Sequence, residues 1–407
     1  MKTTVTRLAI GLLVVFLISS PSLRAQKFEG LALTPPMGWN SWNKFGCNVD
    51  ERMIRETADA IVSSGMKEAG YQYVVIDDCW HGKRDSLGFI HPNPQRFPSG
   101  IKALADYVHS KGLKFGIYSC AGIKTCAGYP GSRGHEYQDA LSYAAWGVDY
   151  LKYDWCNTDS LSAVGAYMTM RDALFAAGRP IVFSLCEWGN NSPWNWGKSV
   201  GHLWRTTGDI SPLFDGEVNH GTWSSWGVMK IVEMRTGIRI YAGPDHWNDP
   251  DMLEVGNGMS VSEDRSHFTM WCLLAAPLMA GNDVKTMSKE TIEILSNREA
   301  IAVDQDSLGI QGYRHDVKDS VEVWVKPLSR GDWAVCFLNR SRETKKIDFD
   351  WSKNVISDDF SKRTLDANQG VYKIRDMWHK KNLRNTQRTL KAEVSPHDVL
   401  LLRLTPQ

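Results

Sequence analysis

The stretch Glu136-Tyr-Gln-Asp-Ala-Leu-Ser-Tyr-Ala-Ala-Trp146-Gly-Val-Asp-Tyr-Leu-Lys-Tyr-Asp154 joins two patterns. Glu136 to Trp146 is a helix-length amphipathic segment, and Val148 to Asp154 is a short apolar run that stops at a carboxylate. The same alternation of short run and helix-length segment extends from residue 35 to about 285. The apolar runs are Met37–Trp42, Tyr71–Asp78, Leu113–Cys120, Val148–Asp154, Pro180–Glu187, His202–Asp209, Ile240–Trp247 and Pro277–Asp283. Helix candidates between them include Glu51–Met66, Ile101–Gly112, Glu136–Trp146, Ser160–Ala177 and Gly221–Thr236, with Gly112, Gly178 and Gly237 at expected C-terminal caps. Eight strand–helix units in about 250 residues predict an α/β fold, a closed (β/α)8 TIM barrel. A doubly wound open sheet usually carries a Gly-rich dinucleotide or phosphate loop, and neither pattern occurs.

Beyond the barrel the periodicity changes. Asp304 to Gly312 is turn-rich, and Ser320–Lys326, Trp333–Asn339 and Val399–Leu404 alternate with period two, as strands do. A small C-terminal antiparallel all-β domain is therefore expected, with Cys336 buried and unpaired inside it. At the other end, Lys2 and Arg7 precede the apolar run Leu8–Ile18, which is followed by small residues up to Ala25. That run is too short for a bilayer, which needs about 20 residues, and reads as a cleavable signal peptide. The expected layout is a leader over 1–25, a catalytic barrel over 30–305 and a β-sandwich over 311–407. An exported protein follows, periplasmic or extracellular.

Composition narrows the partners. Of 407 residues 43% are hydrophobic and 23% charged, which fits a folded globular protein. Three of the 47 Lys and Arg residues lie in the leader, leaving 44 against 46 acids, so the mature chain carries about −2. No basic patch is left for nucleic acid or an anionic membrane, and a neutral substrate fits better. None of the eight Cys residues has CxxC spacing, which removes the usual support for zinc-ribbon and thioredoxin readings.

Active sites of such barrels lie at the C-terminal ends of the strands. There the runs end in acids and tryptophans: Trp39, Asp77-Asp78, Lys152 to Trp155, Glu187-Trp188, Arg205 through Asp209, and Trp247 through Asp251. A single Asp after a strand often caps a helix or orders a turn. Five acid-bearing strand ends around one rim repel one another unless a ligand, cation or proton offsets them. Carboxylates accept from sugar hydroxyls while an aromatic face covers the C–H side of a pyranose. Trp39 and Trp188 are placed for that contact, whereas Trp146 and Trp271 sit in helix-like stretches and suit the core. His81, His202 and His246 are isolated, so neither a metal nor another cofactor is expected.

These residues resemble glycoside hydrolase family 27, the α-galactosidases and α-N-acetylgalactosaminidases. The likeness runs from about Leu33 to Tyr313. It is carried by Thr34-Pro-Pro-Met-Gly-Trp-Asn-Ser-Trp42, Val75-Ile-Asp-Asp-Cys-Trp80, Lys124-Thr-Cys-Ala-Gly-Tyr-Pro-Gly-Ser132, Trp146 through Cys156, Trp204-Arg-Thr-Thr-Gly-Asp209 and Trp247-Asn-Asp-Pro-Asp-Met252. The resemblance implies Asp154 as nucleophile and Asp209 as acid/base. It also implies that Trp39, Asp77, Asp78, Tyr118, Lys152, Glu187, Arg205 and Asp251 hold the sugar, with Met252 lining the pocket. It pairs Cys47 with Cys79 and Cys126 with Cys156. The second bridge would hold the strand-three loop against the nucleophile strand. Cys120, where many relatives have Asp, is left free with Cys186, Cys272 and Cys336.

Strand periodicity places Lys152 and Asp154 on one face. The ammonium is expected to lower the Asp154 pKa, and Trp-lined, partly dry surroundings to raise that of Asp209. A double displacement with retention follows, with carboxyls about 5–5.5 Å apart. Asp77 and Asp78 suit the axial 4-OH and the 6-OH of galactose. The resemblance implies a small residue in place of Glu187 in N-acetyl-selective members, so Glu187 favours a free 2-OH. The expected activity is removal of terminal α-linked galactose from oligo- or polysaccharides. Alternatives are a β-L-arabinopyranosidase or an α-N-acetylgalactosaminidase of the same fold, and, in another class, a non-catalytic sugar-binding protein.

Overall fold

Apolar runs become strands where both faces of the backbone can be covered, and here a ring of helices covers one face while the ring's own interior covers the other. The computed structural model describes residues 27–234 and 237–407; the expected leader lies outside the described residues. Eight parallel strands form one curled sheet. They are β1 (Met37–Asn40), β2 (Tyr73–Val75), β3 (Lys114–Cys120), β4 (Tyr150–Asp154), β5 (Val182–Cys186), β6 (Leu203–Arg205), β7 (Trp247–Asp249) and β8 (Leu278–Ala280). Neighbours pair in sequence order from β1 to β7, and β8 lies beside β1. Leu253, just past β7, closes the ring: its amide donates to the Met279 carbonyl at 2.8 Å and its carbonyl accepts from Gly281 at 3.0 Å.

Side-chain alternation sorts each strand into two sets. Tyr73, Val75, Tyr150, Val182, Leu203, Trp247 and Met279 meet inside the barrel. Val74, Ile76, Leu151, Tyr153, Phe183, Leu185 and Trp204 face the surrounding helices. Among those helices are Glu51–Ser63, Gly100–Ser110, Glu136–Trp146, Ala163–Ala177 and Val261–Leu274.

Two expected elements are different. Ile240–Trp247 is not the seventh strand, because Arg239–Tyr241 is a single 3-10 turn and Gly243-Pro244 reverses the chain before Trp247 opens β7. Proline has no amide to give a sheet ladder. Gly221–Thr236 is not one helix. Glu217–Asn219 and Ser224–Trp226 form an antiparallel hairpin, and a helix begins only at Val228. Gly221 turns the hairpin at φ +91°, and the Thr and Trp residues after it favour extended backbone.

The C-terminal part is antiparallel. Its main sheet runs β9 (Tyr313–Lys318), β10 (Val321–Pro327), β11 (Trp333–Asn339), β13 (Val399–Pro406), β12 (Tyr372–Asp376), with Lys381–Asn382 at the edge. Two short strand pairs, Lys345–Phe349 with Leu390–Val394 and Ile356–Asp358 with Arg363–Leu365, cover one face. Val323, Val325, Val335, Phe337 and Leu402 pack toward those pairs. The other phase, Trp324, Cys336, Leu338 and Leu401, joins the core shared with the barrel helices. Cys336 is buried and free. Polar ties cross the same boundary: Arg265 to Asp398 at 2.7 Å, the Ser266 hydroxyl to the His397 carbonyl at 2.6 Å, and Lys326 to the Cys272 carbonyl at 3.1 Å.

The narrow approach of β1 to β2 makes a prediction of opposite signs. A Cβ on Gly38 would lie 2.5 Å from the Tyr73 carbonyl oxygen, whereas one on Gly165 meets nothing closer than 3.6 Å. Gly38→Ala should lower stability in thermal or denaturant unfolding by about 1–3 kcal/mol or more, by overpacking. Gly165→Ala, inside an exposed helical turn, should raise it by roughly 0.5–1 kcal/mol.

Candidate active site

The C-terminal ends of the barrel strands surround a cavity of about 850 Å³, in the range of small-molecule sites. On β4, Tyr150 fills the barrel interior, and the next two inward positions are Lys152 and Asp154. On β2 the inward series Tyr73, Val75 continues to Asp77 one step past the strand. Both strands thus begin apolar inside the barrel and end polar at its mouth. Asp77, Asp78, Tyr118, Lys152, Asp154, Trp188, Arg205, Asp209, Asp251 and Met252 all line the cavity.

Two of the expected residues do not. Trp39 is fully buried, its indole N–H donating to the Asn282 carbonyl at 2.8 Å. Its neighbour Asn40 turns inward to Asp77, so strand alternation points Trp39 to the helices. Trp42, just beyond β1, lines the cavity instead. Glu187 is also fully buried and outside the cavity lining; the Asn191 backbone and side chain both donate to its Oε2, at 2.6 and 2.7 Å, and Oε1 has no partner. Burial pushes its carboxyl up to about 7. Further lining residues are Asn43, Trp194, Trp223 and Trp226, none singled out in the sequence. Trp223 and Trp226 lie within the segment read as helix, which hid their place on a hairpin.

Five carboxyls here face two cations. Lys152 Nζ is 2.8 Å from Asp77 Oδ2, which also accepts from Asn40 at 2.7 Å. Burial alone would lower the Lys152 ammonium, yet Asp77 and Asp154 hold it well above its usual value. Asp78 accepts from the Cys79 and Ala127 amides at 2.6 and 2.9 Å, and burial still raises its carboxyl. Arg205 reaches Asp251 at 2.9 Å and Asp209 at 3.0 Å. Asp251 also accepts from the Ile210 and Met252 amides, and burial lifts it to about 6.

The two proposed catalytic carboxyls sit in different surroundings. Asp154 is buried and accepts from the Trp155 amide at 2.9 Å. Burial raises it to about 7 despite Lys152, with Asp209 adding to the rise. The expected net lowering is thus reversed, because desolvation exceeds the pull of the ammonium. The side chain of Asp209 is 41% exposed and paired with Arg205, so the expected dry surroundings are not there, although Trp223 and Trp226 line the same cavity. It sits toward solvent.

Disulfides join Cys47 to Cys79 and Cys126 to Cys156. The sulfurs of Cys126 and Cys156 and an Asp154 carboxylate oxygen lie within 4.8 Å of one another, so this bridge abuts Asp154. Tyr118 donates its hydroxyl to Cys126 Sγ at 3.3 Å. Cys120 is buried and free, its thiol donating to the Cys156 carbonyl at 3.1 Å. Cys79, Trp188 and Asp251 take left-handed φ of +76°, +60° and +89° at three strand ends. Each such residue costs about 1–3 kcal/mol, which the surrounding packing sustains.

Comparison with known proteins places the chain among relatives along its length. Residues 34–306 match the family model described as alpha galactosidase A, and residues 318–404 match the alpha galactosidase C-terminal beta sandwich domain. The chain is 56% identical over 402 residues to alpha-galactosidase A of Cellvibrio japonicus, covering 98% of this chain and 99% of that protein. Among solved structures, α-galactosidase I from Mortierella vinacea superposes with a TM-score of 0.85 at 39% identity, covering 92% of this chain and 98% of that one. The Saccharomyces cerevisiae α-galactosidase with raffinose gives 0.85 at 31% identity, covering 94% and 100%.

A carboxyl raised from 3.8 to about 7 by burial makes a signed prediction for stability. Its contribution is full below about pH 4 and is lost as pH rises through about 7, because the folded state holds the proton more tightly. Asp154→Asn should therefore unfold at a higher temperature than the wild type at pH 8, by a smaller margin at pH 5, and at nearly the same temperature below about pH 4. Every tenfold by which folding tightens the hold on that proton corresponds to about 1.4 kcal/mol. A variant less stable at pH 8 would mean that the Trp155 amide bond outweighs desolvation.

Proposed function

The chain belongs to glycoside hydrolase family 27, matched along both of its parts, and from that membership we propose that it removes terminal α-linked galactose from oligo- or polysaccharides with net retention. The observation that carries this reading is one cavity holding Asp154 deep in its wall and Asp209 at its exposed side. Asp154 attacks the anomeric carbon as Asp209 protonates the departing oxygen. Asp209 then takes a proton from water, which releases galactose from Asp154.

The remaining carboxyls have a role in the same scheme. With Asp209 protonated for the first step, four other carboxyls still face two cations, and that excess favours the positive charge developing on an oxocarbenium-like transition state. Asp77 and Asp78 keep free lone pairs after their protein hydrogen bonds, so they can accept from the 4-OH and 6-OH. Trp188 and Trp42 supply apolar surface for the ring. Two disulfides support an exported protein, since such bridges persist in oxidising compartments.

The wild type should release galactose of retained configuration from an aryl α-galactoside, as read by NMR of the first-formed product; an inverted product would end the double-displacement scheme. Asp154→Ala should lose turnover by on the order of 10³-fold or more, and added azide should trap β-galactosyl azide in the emptied space. Asp209→Asn should cut hydrolysis of substrates with poor leaving groups by about 10²–10⁴-fold. It should affect α-galactosyl fluoride far less, since fluoride leaves without a full proton transfer.

A further inference from the structure

The cavity changes character along its depth. Its inner wall is charged, while its outer wall carries the ring of Trp223, borne on the hairpin Glu217–Asn219/Ser224–Trp226. Among the described residues Trp223 is the only tryptophan on the exposed surface, at 51%. An exposed indole at a cavity mouth that is also held rigid is a ready binding surface, because its ordering cost has already been met.

Trp223 is held rigid by several contacts. Its ring stacks on His220 with centroids 3.9 Å apart and planes at 19°. The His220 amide donates to the Trp223 carbonyl at 2.9 Å. The His220 ring lies 2.8 Å from the Ser225 hydroxyl, which lies 2.6 Å from that of Ser211. Ser224 donates to Glu217 at 2.6 Å across the hairpin. One face of the indole is on the histidine, and among the described residues no other ring stacks on it.

The hairpin is also tied to the acid/base segment. The Trp226 amide donates to the Asp209 carbonyl, and the Ser211 amide to the Trp226 carbonyl, both at 2.8 Å. Asp209 must lie beside the leaving oxygen, so whatever is attached there projects past Asp209 toward this hairpin. Resting on the galactosidase reading, we propose that Trp223, backed by His220, is the platform for the sugar bonded to the galactose. Its indole would take the C–H face of that second pyranose.

The test compares kcat/KM on two substrates, the disaccharide melibiose (α-galactosyl-1,6-glucose) and α-galactosyl fluoride, which has no second ring. In Trp223→Ala the melibiose-to-fluoride ratio should fall about ten-fold, and Trp223→Tyr should restore most of it. A ratio unchanged within two-fold in Trp223→Ala overturns the platform, whether both activities persist or both decline together. Wild-type protein that cleaves neither substrate would instead overturn the galactosidase reading on which the platform rests.

Discussion

The crowding of five carboxyls into a largely buried rim is the constraint to which the rest of the site answers. Left alone, such a group would protonate or open. Lys152 and Arg205 each touch the acids they stand among, at 2.8 Å to Asp77 and at 2.9 and 3.0 Å to Asp251 and Asp209. Backbone amides at the strand ends supply further donors to Asp78, Asp154 and Asp251. Two cations and these amides hold the acids in place without cancelling them, and the left-handed residues among those ends are where the chain bends to present them. The result is a rim on which carboxyls outnumber cations.

Much of this was legible in the sequence because a strand has only two faces. Lys152 and Asp154 share one, and the eight runs name seven of the eight strands. The same rule explains the error at Trp39: once Asn40 faces inward to Asp77, its neighbour cannot. Glu187 rests on resemblance, and no pattern in the sequence reveals that Asn191 occupies one side of its carboxylate within the wall. The rise of the Asp154 carboxyl also escaped, since sequence names the charged neighbour but not the degree of desolvation that outweighs it.

The segment from Gly216 to Met234 marks a different limit. Its aromatic and small residues fit a helix pattern loosely, and a glycine at φ +91° decides for a hairpin. Local preference and the contact with the Asp209 segment act together there, and only the second is invisible in one dimension. The chain just before that hairpin is also tied to the C-terminal part, by Arg340 on Asp215 at 2.8 Å. The two parts of the chain therefore meet close to the cavity mouth.

The main sheet of the C-terminal part has apolar side chains on both faces, one covered by its own short strand pairs and the other by barrel helices. Such a sheet has no side that tolerates water. Separated from its neighbour, it would present Trp324, Leu338 and Leu401 as an adhesive surface, and the barrel would bare the matching helix. The stretch between the two matched models therefore joins parts that share one core. Neither half can be traded to a foreign partner without resurfacing that plane.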